Sequence, residues 1–317
     1  MNPLTFVLTA LGLLSGELRG DSKFTAVLAK QLDYVKAKTY DIVYPQLKGR
    51  MLIPVSHDAP SGAETITYRQ WDEIGIASIL ANYADDIPLV DALAEEFTQK
   101  VYPIAAAYMY SIQDLRRAAM SNTRLDQKRA RAARNAIEWK IEDMAAVGDS
   151  SVSATGLANN PNISLVSPVT GTWISATAAQ MIADMLHFES TIIAACKETF
   201  MPTTLGLDIA SYQRFATKVV SSSGDTVRTA LSDFLQAAQS VTEVVSWNKL
   251  ATADAAGTGP RAVMYPKDPN VLTLEIPQEY EEFPPQAKNL AYKVNTHARC
   301  AGVIVEYPVA CGYMDGL

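Results

Sequence analysis

The stretch LDQKRARAARNAIEWKIEDMAAVGD, residues 125–149, predicts a long amphipathic helix. Its apolar and small residues recur three or four positions apart, at Ala130, Ala133, Ile137, Ile141, Met144 and Gly148. The opposite side is basic in its first half and acidic in its second, with Arg134 and Glu138 one turn apart and able to pair. Asp126 is a suitable N-cap and Gly148 a suitable stop, so we expect a helix over 125–148, roughly 33 Å long.

Two strand-like segments precede this helix, at residues 47–56 (LKGRMLIPVS) and 64–80 (ETITYRQWDEIGIASIL). The turn-forming residues HDAPSGA, 57–63, separate them, which predicts a long hairpin over 45–80 with a polar tip. A two-stranded hairpin is marginally stable alone in water, so we expect it to lie against something else, such as another subunit. Residues 1–44 before it form an arm, in which Phe24 and Leu28 share the apolar face of a helix.

Further elements follow in a mixed order. Residues 97–111 (FTQKVYPIAAAYMYS) predict a strand, and 111–120 predict a short helix capped by Ser111. After a loop-rich stretch, a strong helix is expected from a capping box at Thr177 and Gln180. Asp208 and Asp225 lie near the starts of two more predicted helices. The last part of the chain is predicted to be β-structure, because residues 289–299 alternate polar and apolar side chains.

Composition and charge exclude several classes of protein. The net charge is −7, from 27 basic and 34 acidic residues, which argues against a dedicated nucleic-acid binder. No apolar run approaches the roughly 20 residues of a membrane span, so no membrane partner is expected. The three cysteines stand far apart in no metal-binding pair, which favours reduced thiols in a cytoplasmic setting.

Motifs for chemistry are missing from the sequence. His57, His187 and His297 form no metal-ligand spacing, and no glycine-rich phosphate loop or nucleophile elbow occurs. We therefore expect no catalytic residue, no cofactor and no metal, and a protein that is not an enzyme. The basic half of the long helix leaves two interpretations open: contact with phosphates, or a salt-bridged surface that faces another subunit.

Three segments of the sequence, in the order in which they occur, resemble segments of a known protein family. They are YSIQDLRRAAM followed by the opening stretch (110–149), TTLGLDIASYQRFAT (203–217) and LAYKVNTHARCAGVIVEYPVACGYMDG (290–316). The chain resembles tailed-bacteriophage major capsid proteins with the Hong Kong 97 fold, and the resemblance covers most of its length. Each phrase alone is a weak signal, whereas their order is fairly specific.

The resemblance implies an α+β fold with the parts of that family in sequence. Residues 1–44 would be the N-terminal arm and 45–80 the extended hairpin, or E-loop. The peripheral (P) domain would take 81–164, including a spine helix at 125–148, and the axial (A) domain would take 165–270. Residues 271–317 would return as P-domain strands and the C-terminal segment.

The resemblance also implies a function. The protein would assemble as pentamers and hexamers into the icosahedral head shell that encloses phage double-stranded DNA. Its partners would be other copies of itself, a separate scaffolding protein, a portal, a decoration protein and, non-specifically, the packaged DNA. It would be located in the virion capsid after assembly in the host cytoplasm.

Charged and apolar residues on the arm, the hairpin and the long helix are the candidate subunit contacts. They are Phe24, Leu28, Arg50, His57, Asp58, Glu64, Arg69, Lys128, Arg131, Arg134, Glu138 and Arg299. Two alternatives stay open at this point. One is an encapsulin-like bacterial nanocompartment shell, and the other is an α/β enzyme whose site lies in a deep pocket lined by convergent polar groups.

Overall fold

The computed structural model describes residues 45–75, 89–121, 125–223 and 226–317. Apart from the first two of these residues, all belong to one compact unit, Leu47–Leu317. The predictions made for the arm, including the helix face with Phe24 and Leu28, lie outside the described residues. The predicted cap Asp225 lies outside them as well.

Helices and strands alternate irregularly along the chain. The helices are α1 (Gly49–Leu52), α2 (Ile112–Ser121), α3 (Leu125–Ala146), α4 (Ala178–Cys196), α5 (Ile209–Thr217) and α6 (Ala230–Ala237). The longer strands are β2 (Thr65–Ile74), β3 (Asp91–Lys100), β4 (Tyr102–Ser111), β9 (Val219–Ser223), β12 (Arg261–Tyr265), β14 (Gln278–Glu282) and β16 (Ala291–Cys300). The strands of two to four residues are β1 (Val55–Ser56), β5 (Gly148–Asp149), β6 (Ala154–Thr155), β7 (Ser164–Leu165), β8 (Thr204–Leu207), β10 (Thr226–Thr229), β11 (Glu243–Ser246), β13 (Leu272–Glu275), β15 (Gln286–Lys288), β17 (Gly302–Val305) and β18 (Gly312–Asp315). The fold class is therefore α+β, as expected.

Helix α3 packs on a sheet formed by β4, β14, β15 and β16. The predicted apolar stripe is buried at Ala133, Ile137, Ile141 and Met144. Gly148 follows the helix with a φ of +77°, in the left-handed region that a glycine adopts at low cost. The long amphipathic helix is confirmed, and it ends two residues before the predicted boundary.

Strand β16 is the centre of this sheet. It pairs antiparallel with β4 along ten residues, from Ala291 opposite Ser111 to Cys300 opposite Tyr102. Its even-numbered residues from Val294 onward are buried and its odd-numbered residues are half-buried. The predicted alternation over 289–299 is confirmed from Val294 onward, whereas Leu290 and Tyr292, predicted for the same face as Val294, are exposed.

The predicted hairpin over 45–80 is wrong in its pairing. Strand β2 pairs with β3, from Thr65 opposite Lys100 to Ile74 opposite Asp91. The segment 47–56 instead forms α1 and the short strand β1, which lies parallel to β13. Leu52 and Ile53 are fully buried in the core beside α3, and this burial outweighs their preference for a hairpin strand. Strand β3 was predicted only in its last residues because its start is rich in alanine and acids, which strands disfavour.

A second core lies around helix α4. The sheet in the order β11-β8-β12-β18-β7 supports it, and α4, α5 and α6 cover it. The capping box at Thr177 and Gln180 and the N-cap at Asp208 are confirmed. The helix expected from Asp225 begins later: residues 226–229 form β10, and Thr229 caps α6 at Ala230. Most of this α/β unit lies in sequence between the two parts of the chain that form the first core, and strands β12 and β18 contribute residues to both cores.

Candidate assembly surface

The distal half of the β2–β3 hairpin is exposed on both of its faces. Trp71, opposite Ala94, is 65% exposed, and Leu93 on the other face is 54% exposed. Ile74 and Val90 at the described end are exposed too. Large apolar side chains on a thin, solvated ribbon mark a surface that binds another molecule. The hairpin is therefore the strongest candidate for a contact surface.

The root of the hairpin is anchored to the rest of the chain. Tyr68 and Phe97 stack across the two strands with ring centroids 5.4 Å apart. Gln99 Nε2 donates to the carbonyl oxygen of Ala301 at 2.9 Å. Beyond this point the contacts described are between the strands, such as the ion pair of Arg69 with Glu96 at 2.7 Å. The hairpin thus projects from a fixed base.

Three of the predicted contact residues, Arg50, His57 and Glu138, hold the segment before the hairpin in place within the chain. Arg50 Nη1 donates to Glu279 at 2.7 Å, and Arg50 Nε lies 3.2 Å from the carboxylate of Glu138 on α3. The hydrogen bond from Arg50 lowers the pKa of Glu279. His57 Nδ1 lies 2.8 Å from the carbonyl oxygen of Ile276. The structure therefore brings these residues together as a support for the segment before the hairpin.

Arg299 supports the loop that leads into β2. Its guanidinium donates to the carbonyl oxygens of Ser61 and Ala63, the latter at 2.7 Å. Asp58 and Glu64 lie exposed in the same loop. Arg299, a predicted subunit contact, therefore also has a role within its own chain.

The remaining predicted residues lie on the exposed surface of α3. Lys128 and Arg131 are exposed in its first turns. The guanidinium of Arg134 lies over the ring of Tyr280, 5.6 Å from its centroid. The expected pairing of Arg134 with Glu138 is wrong, because Glu138 pairs with Arg50 instead. Glu138 thus forms its ion pair with Arg50, which is distant in sequence, and not with Arg134, which is one helical turn away.

Sequence reasoning missed the carboxylate of Glu142, which is 5% exposed. It accepts hydrogen bonds from the backbone N–H groups of Lys48 and Gly49 at 3.0 and 2.7 Å, and from Trp247 Nε1 at 2.7 Å. These bonds join the segment before the hairpin, helix α3 and the end of β11. In the sequence Glu142 resembles any solvated acid on a helix, so nothing local signals this role.

An open cleft of 700 Å³ lies beside the end of α3. Its lysines are paired with its acids, Lys140 with Asp149 and Lys249 with Asp143. Within the described ranges no cluster of His, Cys, Asp and Glu is arranged to hold a metal. The described helices are each too short or too polar to cross a bilayer.

The chain matches one protein-family model and is similar in fold to several solved structures. The family model described as major capsid protein matches residues 75–317. The chain is similar to the capsid of Myoviridae phage XM1, with a TM-score of 0.80, 16% identity, and coverage of 91% of this chain and 98% of that one. For Mycobacterium phage Bobi the TM-score is 0.62, the identity 14%, and the coverage 92% and 97%. For the virus-like particle from Pyrococcus furiosus these values are 0.53, 12%, 83% and 90%. No curated protein matches by sequence.

The fold and the projecting hairpin define a shell-building protein of the Hong Kong 97 type. The match of the family model over residues 75–317 shows that the chain belongs to the major capsid protein family. It is therefore a structural protein of a capsid. The structural similarities, all at 16% identity or lower among those given above, support the fold independently.

Proposed function

We propose that this protein assembles as pentamers and hexamers into an icosahedral phage head shell that encloses double-stranded DNA. The hairpin carries the proposal, since it presents Trp71 and Leu93 to solvent while its root is fixed. In a monomer these apolar side chains would stay exposed to water. In a shell they would contact a neighbouring subunit, and the symmetry of the shell would repeat that contact.

The parts of the family are assigned as proposals too. We assign 1–44 as the arm, 81–164 as the P-domain, 165–270 as the A-domain and 271–317 as returning strands. The pairing of β2 with β3 supports an E-loop at 65–100 rather than at 45–80, so we propose that the part of the P-domain assigned to 81–164 begins after residue 100. Scaffolding, portal and decoration proteins, contact with packaged DNA, and assembly in the host cytoplasm belong to this proposal.

The strength of the hairpin contact follows from its aromatic anchor. Trp71 is a residue type that dominates binding energy when it enters a pocket, and truncation of such an anchor costs about 2–4 kcal/mol. One such contact gives modest affinity. In a ring, each subunit contacts one neighbour through its own hairpin and is contacted by the hairpin of another. Truncation of Trp71 therefore weakens every contact in the ring, and the summed loss of binding free energy prevents assembly at ordinary concentrations.

The test is light scattering with size-exclusion chromatography and negative-stain microscopy on the purified protein. The wild type should form pentamers, hexamers or closed shells, and Trp71→Ala should stay smaller with unchanged circular dichroism. Leu290→Ala is the matched control, because Leu290 is exposed but lies off the hairpin. A wild type that remains monomeric, even with the scaffolding protein of its own genome, would refute the proposal.

A nanocompartment shell is the second candidate, and the similarity to the Pyrococcus furiosus particle favours it. That TM-score of 0.53 is lower than the 0.80 for the phage XM1 capsid. Shell diameter separates the two candidates. Small, empty shells that take up a cargo enzyme would support the compartment, whereas larger shells that hold DNA would support the phage head.

A further inference from the structure

A buried carboxylate oxygen without a hydrogen-bond partner lies at the end of strand β13. Glu275 is 8% exposed, and its Oε2 atom meets no donor among the described residues. Its Oε1 atom accepts a long hydrogen bond of 3.4 Å from the hydroxyl of Thr273. A buried, charged oxygen is costly unless a donor or a cation satisfies it. The environment of Glu275 therefore calls for a partner other than the described residues.

A second acid lies on the same face of the paired strands β13 and β17. Leu274 and Val303 are opposite each other in this pair, and both belong to the first core. Because side chains alternate along a strand, Glu275 lies on the face turned away from that core. Glu306 follows β17 and continues its alternation, since its N–H donates to the carbonyl oxygen of Val271 on the partner strand at 2.9 Å. Both carboxylates thus belong to one face.

The two acids have no basic partner in the described part of the chain. Its ion pairs include neither Glu275 nor Glu306. The pKa of Glu306 is raised, first by burial and then by the negative charge of Glu275. Two carboxylates that repel each other in a partly desolvated place favour a cation between them.

This acidic pair lies beside the root of the β2–β3 hairpin. The N–H of Ala301 donates to the backbone carbonyl of Glu275 at 2.9 Å, and the carbonyl of Ala301 accepts from Gln99 on β3. Burial and the charge of Glu306 raise the pKa of Tyr68 on β2. A ligand of the two acids would therefore contact the body of the chain next to the base of the projecting hairpin.

Calcium matches this arrangement better than a basic side chain does. Calcium takes about six to eight oxygen ligands in a flexible geometry, with carboxylates and water among them. Within the described ranges no three or more His, Cys, Asp or Glu side chains form a metal cluster, so water would complete the shell on the half-exposed side of Glu306. A monatomic ion is also smaller than the ammonium or guanidinium group that would otherwise have to approach the buried Oε2 of Glu275.

We propose that Glu275 and Glu306 bind a divalent cation, with calcium as the best match, beside the root of the hairpin. The ion neutralises two carboxylates that otherwise repel each other, and it gives Glu275 Oε2 a partner. The folded chain binds the ion and the unfolded chain does not, so calcium stabilises the fold. The inference goes beyond the proposed function and does not depend on self-assembly.

Thermal unfolding of the purified, unassembled protein tests the site. Two carboxylates and water predict a weak site, with a Kd on the order of 10⁻³ M. Calcium chloride at about ten times that concentration should raise the unfolding midpoint by about 3 °C relative to EDTA. Sodium chloride at the same ionic strength should give no such rise, and an equal rise would overturn the proposal in favour of charge screening.

Conservative variants locate the effect. Glu275→Gln and Glu306→Gln should each abolish the rise with calcium, because each removes one charged ligand. In EDTA, Glu306→Gln should unfold at the wild-type temperature or above it, since the repulsion with Glu275 is gone. A residue with a merely structural role would lower that midpoint instead. Glu95→Gln, an exposed acid on the distal hairpin, is the matched control and should keep the full rise.

Terbium gives a second readout that does not depend on stability. Tb³⁺ replaces calcium at oxygen sites and emits when a nearby tyrosine is excited, and Tyr68 lies close to Glu306. Saturable emission in the wild type that calcium displaces, and its loss in Glu306→Gln, would support the site. No rise in midpoint with calcium in the wild type, or an equal rise in both glutamine variants, would overturn the inference. Because both measurements use the unassembled protein, they decide it whether or not shells form.

Discussion

Replacement of Glu142 by alanine should destabilise the protein more than any change to the exposed charges of α3. The carboxylate is 5% exposed and accepts three hydrogen bonds, from the N–H groups of Lys48 and Gly49 and from Trp247 Nε1. Alanine would leave three donors without an acceptor in a buried site. These donors belong to two parts of the chain that are far apart in sequence, residues 48–49 and Trp247, so no local rearrangement replaces the carboxylate.

The size of the effect follows from the unpaired donors. Each buried donor without a partner costs about 1–3 kcal/mol, and water that enters the space left by the side chain recovers part of it. We expect a net loss of about 3–5 kcal/mol in the free energy of unfolding. Glu142→Gln keeps the volume and one acceptor oxygen, so its loss should be smaller, about 1–3 kcal/mol.

Urea unfolding of the unassembled protein, followed by circular dichroism, measures this loss. Glu138→Ala is the control, one turn earlier on α3, where the carboxylate is partly exposed and its ion pair with Arg50 should contribute less than about 1 kcal/mol. The dependence of the free energy on urea should be the same for all variants. A Glu142→Ala variant as stable as the wild type, or no more affected than Glu138→Ala, would refute the reasoning.

Three further predictions concern other parts of the fold. Gly148→Ala should destabilise by about 2 kcal/mol or more, because φ is +77° and a Cβ would lie 2.1 Å from a carbonyl oxygen; thermal unfolding checks it, and an unchanged midpoint would contradict it. Asp315→Asn should cost about 3–5 kcal/mol in urea, since it breaks a bidentate pair with the buried Arg261 at 2.7 Å; a loss below about 1 kcal/mol would count against a structural role. Burial raises the pKa of Cys300 to about 11 and of Cys311 to about 12, from an ordinary value of 9.0. Both thiols should therefore resist a thiol reagent at about pH 9.5 until the chain unfolds, and stability should fall as the pH rises from about 9, because the unfolded chain loses protons that the native thiols keep; rapid labelling of the native protein would contradict this.

Long periodic elements could be predicted from the sequence. Helix α3 repeats its apolar residues from Ala130 to Met144, over about four turns, and α4 adds the capping box of Thr177 and Gln180, so local signals and tertiary packing agree. The hairpin could not be predicted in full. Strand β3 is rich in alanine and acids and lacks core packing, so its conformation depends on pairing with β2.

Some roles of the candidate contact residues could likewise be predicted from the sequence, and others could not. Exposed charges such as Arg131 could be chosen from the helix pattern, because the polar side of an amphipathic helix faces solvent or a partner. The roles of Arg50 and Arg299 within the chain could not, since their partners Glu279 and Ser61 are more than 200 residues away in sequence. Trp71 was missed for a related reason: an aromatic residue in a strand is usually buried, and only the tertiary structure shows it exposed.

The most direct test of the central claim is cryo-electron microscopy of the assembled particles. We predict a closed icosahedral shell in which the β2–β3 hairpin of each subunit projects from its own chain and contacts a neighbouring subunit through Trp71. Particles in which the hairpin folds back on its own chain, or a protein that forms no shell at any concentration, would contradict it.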